Sequence, residues 1–325
     1  MSSRAKAINI LLLSAGRRVE LISCFKAARD RLGIRGKVIG ADVSAAAPAP
    51  YFADEACLVP RVTDAGYIDE LVRLCKDKAI SLVVPTIDTE LEILAENKSR
   101  IERESGAIVM ISNAQSVAAC CNKHKTAAFL KERGFDFPRV VTKEEIASGK
   151  VKFPLFIKPE NGSSSKDAFK VTSFKQLDAF CEFIHCPIVQ EFVEGTEYTV
   201  DCFCDFDGNV ISVVPRIRLA TRGGEIMRGK IDGNERVSAV AKRLVKEFGF
   251  IGQTTVQCFL CEDGAVKIIE INPRFGGGAP MSIYAGADSC EWLYRLLSGE
   301  KLEYRDDYED GAMFSRYDRS VRVHE

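Results

Sequence analysis

The chain has 325 residues, of which 46% are apolar and 28% charged, and its 45 Lys+Arg against 46 Asp+Glu leave a formal net charge of −1. That length suggests about two domains. The near-zero charge excludes a polyanion binder held by bulk electrostatics but leaves room for a local phosphate site, so a nucleic-acid partner is not expected.

The first apolar run, residues 8–13, is far short of the roughly 20 residues a bilayer span needs. Arg4 and Lys6 precede it, but Ser14-Ala15-Gly16-Arg17-Arg18 follows at once and reads as a strand-to-helix turn rather than an export signal. A cytoplasmic protein with no membrane partner is expected. Residues 19–31 then have helical spacing, with strands at 37–41 and 56–59, a helix at 67–78, a strand at 82–85, a helix at 91–104 and a strand at 108–111. Strands alternating with helices imply a parallel sheet covered on both faces. The first turn carries one glycine in place of G-x-G-x-x-G, which gives a dinucleotide pyrophosphate poor backbone access. Thr86, Asp88 and Glu90 follow the fourth strand and would line the crevice at its carboxyl end. Asp88 reads equally as the cap of the helix at 91 or as a substrate contact.

From residue 113 the pattern changes. A helix at 122–133 stops at Gly134. A strand at 153–158, a glycine-serine loop, a helix at 173–183 and two strands at 188–193 and 197–203 make a small α+β unit. An amphipathic helix repeats at Val237, Val240/Ala241, Leu244/Val245 and Phe248, and a hairpin joins 254–262 to 265–272. The acidic tail after Glu300 ends in one strand at 312–317. Twelve cysteines are scattered through the chain; the Cys258–Cys261 pair has no second C-x-x-C, so free thiols are expected rather than disulfides or a zinc site.

The last hairpin carries the strongest argument. Asp263-Gly264 suits a two-residue type I′ turn, which places Gln257 opposite Glu270. Opposed residues share a face of the sheet, and Asn272, two positions on, shares it too. Three oxygen-bearing side chains therefore converge, the donor type a hard cation such as Mg²⁺ takes while bridging to substrate phosphates; a solvated polar face is the plainer reading. In the strand at 153–158, Phe153, Leu155 and Ile157 face one way and Phe156 and Lys158 the other. Pro159 is expected to stop the ladder, and Gly162-Ser163-Ser164-Ser165 offers backbone and hydroxyl donors to a phosphate. The stretch Gln190-Glu191-Phe192-Val193-Glu194-Gly195-Thr196-Glu197 offers a strand edge able to match adenine and a carboxylate for a ribose diol, or else a plain hairpin. Arg216, Arg218, Arg222, Arg228 and Lys230 crowd one segment as a positive funnel for phosphate or carboxylate, or as a solvated strand pair.

Taken in order, Asn122-Lys123, Phe156-Ile157-Lys158-Pro159 with the serine loop, Gln190 to Glu197, Val256-Gln257 and Ile269-Glu270-Ile271-Asn272-Pro273-Arg274 resemble the ATP-grasp superfamily, and in particular proteins like the large subunit of carbamoyl-phosphate synthase. The resemblance implies an α/β chain with a Rossmann-like pre-ATP-grasp domain at 1–112 and a two-subdomain α+β ATP-grasp fold at 113–190 and 191–325 with a short C-terminal extension. It further implies that Lys123, Lys158 and Ser163, Ser164 and Ser165 contact ATP phosphates, and that the Glu191-Phe192-Val193 backbone holds adenine. Glu197 would hold ribose, and Gln257, Glu270 and Asn272 would hold Mg²⁺ or Mn²⁺. Arg274, with Lys158 and Arg216, would serve the transferred phosphoryl group. Three features depart from the pattern: Asn122 stands where an Asp is common, Lys166-Asp167 where a glycine follows the loop, and Gln257 where a carboxylate is frequent. The chain has neither duplicated halves nor a glutamine-hydrolysing partner, which argues against carbamoyl-phosphate synthesis itself. The expected activity is an ATP- and Mg²⁺-dependent ligase that activates a small-molecule carboxylate as an acyl-phosphate and joins it to an amine; a homo-oligomer is left open. Two other classes are a silent ATP-binding regulatory module and an NAD-linked oxidoreductase, the latter disfavoured by the missing glycine fingerprint.

Overall fold

The structure, a computed structural model, describes residues 7–160 and 167–323. The serine loop, Ser163, Ser164 and Ser165 included, lies outside the described residues. The N-terminal domain alternates β1 (Asn9–Leu12), α1 (Val19–Arg31), β2 (Val38–Asp42), β3 (Glu55–Leu58), α2 (Tyr67–Asp77), β4 (Ile80–Val84), α3 (Leu91–Ser105) and β5 (Ile108–Val109). Its sheet is parallel, in the order β3-β2-β1-β4-β5. Both faces are covered, as the unbroken burial of β2 requires. The strand order reverses between β1 and β4, so the loops after those two strands open a crevice at their carboxyl ends.

Next come α4 (Ala114–Cys121), α5 (Lys123–Glu132) and α6 (Lys143–Ala147), then a small unit of β6 (Leu155–Pro159), β7 (Phe169–Val171), α7 (Phe174–Phe183) and β8 (Pro187–Glu191). Asn122 and Ser173 cap α5 and α7 with their side chains. The small sheet runs β7-β6-β8 and has its own core around Leu155, Ile157, Leu177 and Val189. Leu130 and Phe135, by contrast, join the core under the large sheet, so the segment 113–190 is held by two cores. β6 ends at Pro159 as expected, opposite Pro187, where the missing N–H costs little.

The remainder forms β9 (Thr196–Cys204), β10 (Val210–Arg222), β11 (Glu225–Ile231), α8 (Glu235–Phe248), β12 (Gly252–Leu260), β13 (Val266–Asn272), α9 (Ala279–Tyr284), α10 (Ser289–Leu297) and β14 (Met313–Ser315). The sheet order is β13-β12-β9-β10-β11-β14. The stretch 190–197 is therefore not a hairpin. β8 belongs to the small sheet and β9 to the large one, and residues 192–195 cross between them.

The β12–β13 turn also differs from expectation. Cys261 N–H donates to the Ala265 carbonyl at 2.9 Å, Gly264 N–H donates to the Cys261 carbonyl at 2.9 Å, and Gly264 has φ +83°. This is a three-residue turn, which moves the register by one. A bulge at Ile269 moves it back, so Gln257 does pair with Glu270 and Thr255 with Asn272. The bulge has a packing cause: it lets both Ile268 and Ile271 enter the core while Glu270 and Asn272 face the other way. All twelve cysteines are free. No helix among the described residues is long and apolar enough to cross a membrane.

Candidate active site

Period-two alternation makes one face of the large sheet polar. The register puts Thr199 and Asp201 of β9 beside Gln257 and Thr255 of β12, Glu270 and Asn272 of β13 next, and Arg216 and Arg218 of β10 on the far side. The intervening residues Tyr198, Val200, Cys202, Val256, Cys258, Ile268 and Ile271 form the opposite, apolar face under α8. The same alternation along the strand at 197–203 is the sequence signal that places Thr199 and Asp201 on this face.

Two clefts border this plate. The larger, about 350 Å³, lies between the small sheet, α5 and β13. Lys123, Lys158 and Gln190 line it, with Glu270 and Asn272 on its floor. The smaller, about 90 Å³, is lined by Arg18, Arg216, Arg218 and Arg274 and again by Glu270 and Asn272, with Gln257 beside them. Glu270 and Asn272 thus stand at the junction of a lysine-lined and an arginine-lined space.

The cations of the two clefts are held differently. Burial, and then the neighbouring Lys123, push the Lys158 ammonium down to about 8, with Glu270 opposing. Burial also lowers Lys123, whose Nζ donates to the Glu160 carbonyl at 3.2 Å. In the small cleft, Arg216 Nη1 lies 2.7 Å from Asp201 and 3.0 Å from Ser282 Oγ, almost fully buried. Arg218 Nε sits 2.9 Å from Glu197, too far off line for a hydrogen bond. Arg274 Nη2 donates to Asp88 at 2.6 Å. The Nε atoms of Arg216 and Arg274 are buried with no partner among the described residues.

Asp88 is consequently not the cap of α3. Glu90 holds the N-cap position without capping α3 through its side chain; its carboxylate turns back to accept from Thr86 N–H at 2.9 Å, Ile87 N–H at 3.4 Å and Ser14 Oγ at 2.8 Å. Asp88 instead reaches across to Arg274 and ties the N-terminal crevice to the large sheet. The expected funnel of five cations is also corrected. Arg222 pairs with Asp318, Arg228 bonds Ser315 and Lys230 lies at the β14 end, so only Arg216 and Arg218 reach the cleft. The long reach of β10 carries the others away from it.

Glu191, Phe192, Val193 and Glu197 line neither of these two clefts. Glu191 Oε1 lies 2.5 Å from Lys267 Nζ, and its N–H donates to the Arg139 carbonyl at 2.9 Å. Because Glu191 faces Leu155 as a non-hydrogen-bonded pair, its carbonyl points away from β6. The Val193 N–H has no hydrogen-bond partner among the described residues. An open acceptor and an open donor therefore stand at the crossover between sheets.

Arg18 was not foreseen as a site residue. It occupies the N-cap of α1 without making a side-chain capping bond, and its side chain enters the small cleft instead. The Gly276-Gly277-Gly278 run explains how two guanidinium groups fit there. A Cβ on Gly277 would lie 2.7 Å from Arg18 Nη1, and one on Gly278 would lie 2.7 Å from Arg216 Nη2. A side chain at either position would push those guanidinium groups aside, so the glycines matter for close approach rather than for backbone angle.

A chain with a Rossmann-like front domain, a two-sheet crossover and an amide–carboxylate plate facing lysines is an ATP-grasp protein. Two family models agree: "PylC-like, N-terminal domain" matches residues 10–111, and "ATP-grasp in the biosynthetic pathway with Ter operon" matches residues 185–318. The chain belongs to the ATP-grasp superfamily and is carbamoyl-phosphate-synthase-like. Carbamoyl-phosphate synthase of Methanobrevibacter smithii is 25% identical over 280 residues, covering 77% of this chain and 74% of that protein. D-alanine–D-alanine ligase A of Escherichia coli is 28% identical over 200 residues, 50% of this chain and 52% of the ligase. In fold, the biotin carboxylase domain of the Hydrogenobacter thermophilus 2-oxoglutarate carboxylase, solved with MgADP and bicarbonate, superposes with a TM-score of 0.73 at 18% identity, covering 95% of this chain and 74% of that one. The chain spans 62% of the length of the vancomycin B-type resistance protein VanB of Enterococcus faecalis that it matches and 52% of that of the D-alanine–D-alanine ligase.

Proposed function

We propose that the protein uses ATP to activate a small-molecule carboxylate as an acyl-phosphate and joins it to an amine, with release of ADP and phosphate. The observation that carries this reading is the sharing of Glu270 and Asn272 by the lysine-lined and the arginine-lined cleft. A triphosphate entering from one side and a carboxylate from the other would meet at those two side chains.

Among the described residues no cluster of three His, Cys, Asp or Glu side chains exists. One carboxylate with two amide oxygens nevertheless fits a hard cation whose remaining ligands are phosphate oxygens and water. Gln257, Glu270 and Asn272 would hold Mg²⁺, and Mn²⁺ would satisfy the same donors. Bound there, the ion would neutralise charge on the phosphoryl group in transfer. Lys123 and Lys158 would contact the phosphates, and Ser163, Ser164 and Ser165 would add donors to them. The Glu191 carbonyl and Val193 N–H would read the adenine edge, with Phe192 between them. Glu197, kept in place by Arg218, would hold the ribose hydroxyls. Arg274 and Arg216 would orient the carboxylate so that its oxygen forms the new bond to phosphorus as the bond to the ADP oxygen breaks. The amine nitrogen then bonds to the acyl carbon and phosphate departs. No side-chain nucleophile is needed; positioning and charge neutralisation do the chemistry.

The test is a screen of amino acids and other carboxylates for ADP and phosphate release, with hydroxylamine as trapping nucleophile. Hydroxamate formation that depends on the carboxylate is the expected result. Nucleotide binding with no turnover across the panel would support a silent regulatory module instead.

A further inference from the structure

Of the four guanidinium groups in the small cleft, three have a carboxylate of their own: Arg216 with Asp201 at 2.7 Å, Arg218 with Glu197 at 2.9 Å and Arg274 with Asp88 at 2.6 Å. Arg18 is the exception. Its nearest carboxylate is Glu225, at 3.9 Å, and Glu225 is already engaged by Arg316 at 3.0 Å. The one hydrogen bond the Arg18 side chain donates among the described residues runs from Nη2 to the Thr86 carbonyl and is long, 3.4 Å. Nε and Nη1 donate none, although the side chain is only 19% exposed. A half-buried guanidinium whose free donors open onto the cleft is well placed to receive an anion there.

Position in the fold points the same way. Arg18 follows β1 and Thr86 and Asp88 follow β4, so both loops border the crevice where the strand order reverses. Ligands of open α/β sheets bind at that point. Here the crevice is closed from the other side by Gly277, which packs on Arg18 Nη1. The arrangement is rigid: Phe25 of α1 packs edge-on against Phe275 and Tyr294, with centroids 5.8 and 6.3 Å apart. The start of α1, and with it the Arg18 backbone, is thus held against the segment that follows Arg274.

We propose that Arg18 is a specificity-determining, substrate-binding residue that selects carboxylates carrying a second anionic group on a short spacer. The proposal rests on the ligase reading for what happens to the first carboxylate, which Arg274, Arg216 and the plate receive. Arg18 takes the second, in the fork geometry that suits a carboxylate or phosphate. Burial and the nearby Arg274 lower the Arg18 pKa, and an anion beside it would act in the opposite direction. The small cleft, about 90 Å³, limits the length of the spacer.

The experiment is calorimetric binding, in the presence of Mg·ADP, of acids paired by length: succinate against butyrate, glutarate against valerate, aspartate against 2-aminobutyrate and glutamate against norvaline. The wild type is expected to bind at least one diacid about 30-fold tighter than its partner. Arg18→Gln should compress that ratio to about threefold or less, and Arg18→Lys should keep part of it, since a point charge replaces a fork. Arg17→Gln, at an exposed neighbour whose own partner is Asp318 at 3.8 Å, should match the wild type. Unchanged ADP affinity in each variant shows that the fold is intact. A wild type with no preference for the diacid in any pair, or an Arg18→Gln variant that retains the preference, overturns the proposal. Discrimination without hydroxamate formation leaves the proposal standing and removes the ligase reading; hydroxamate formation without discrimination does the reverse.

Discussion

The two clefts that meet at Glu270 hold their cations in opposite ways. On the nucleotide side, Lys158 is desolvated beside Lys123 and has no ion-pair partner among the described residues. On the acid side, three of the four arginines are pinned by carboxylates. A flexible ammonium whose charge is penalised until phosphate arrives makes binding depend on protonation. A guanidinium held by a carboxylate is already oriented and stays charged at any working pH. The contrast teaches that one sheet face can serve a triphosphate and a small acid by changing how strongly each cation is neutralised in advance.

The sharpest way to break the comparison is at the junction. Glu270→Ala should lower kcat by about 10³-fold, because one side chain serves both spaces, while ADP affinity falls far less; steady-state kinetics with the acid found in the screen reads both. Turnover close to wild type would remove the junction from the chemistry. Lys158→Ala should raise the KM for ATP by about 10²-fold and leave the KM for the acid unchanged. A pH series sharpens this second effect. With Lys158 titrating at about 8 in the free protein, nucleotide affinity should fall as pH rises through 8. Lys158→Arg should remove that fall, since arginine keeps its charge. Gly278→Ala acts on the other cleft by moving Arg216, and should raise the KM for the acid by about tenfold with ADP affinity unaltered.

The smallest effect is on stability. Burial raises Glu90 from 4.5 to about 7. The folded state therefore holds a proton that the unfolded chain has already released, and stability declines as pH rises from 4.5 to about 7, then levels. Glu90→Gln keeps an acceptor for the Thr86 N–H and should flatten that slope in denaturant midpoints taken at pH 5 and pH 8.

Legibility in the sequence followed the range of the interactions. The helices at 19–31 and 91–105 carry their own periodicity and were readable, as was the β12–β13 pairing. That pairing was reached with the wrong turn: a longer loop and the bulge at Ile269 offset each other, and only the needs of the core under Ile268 and Ile271 reveal the bulge. Residues 190–197 look locally like a hairpin because strand partners are chosen by tertiary packing, which local sequence does not encode. Asp88 suits a cap equally well until Arg274, 186 residues later, is brought to it. Arg18 was hidden for the same reason, since its meaning depends on contact with Gly277.

The most direct test of the account follows oxygen. The acid identified by the screen is supplied with ¹⁸O in its reacting carboxylate, and the phosphate released with ADP is analysed by mass. Transfer of one ¹⁸O into phosphate per turnover is the predicted result, because the attacking oxygen stays on phosphorus when the amine displaces it. Phosphate free of label would mean that ATP is split by water, and would contradict an acyl-phosphate formed between the two clefts.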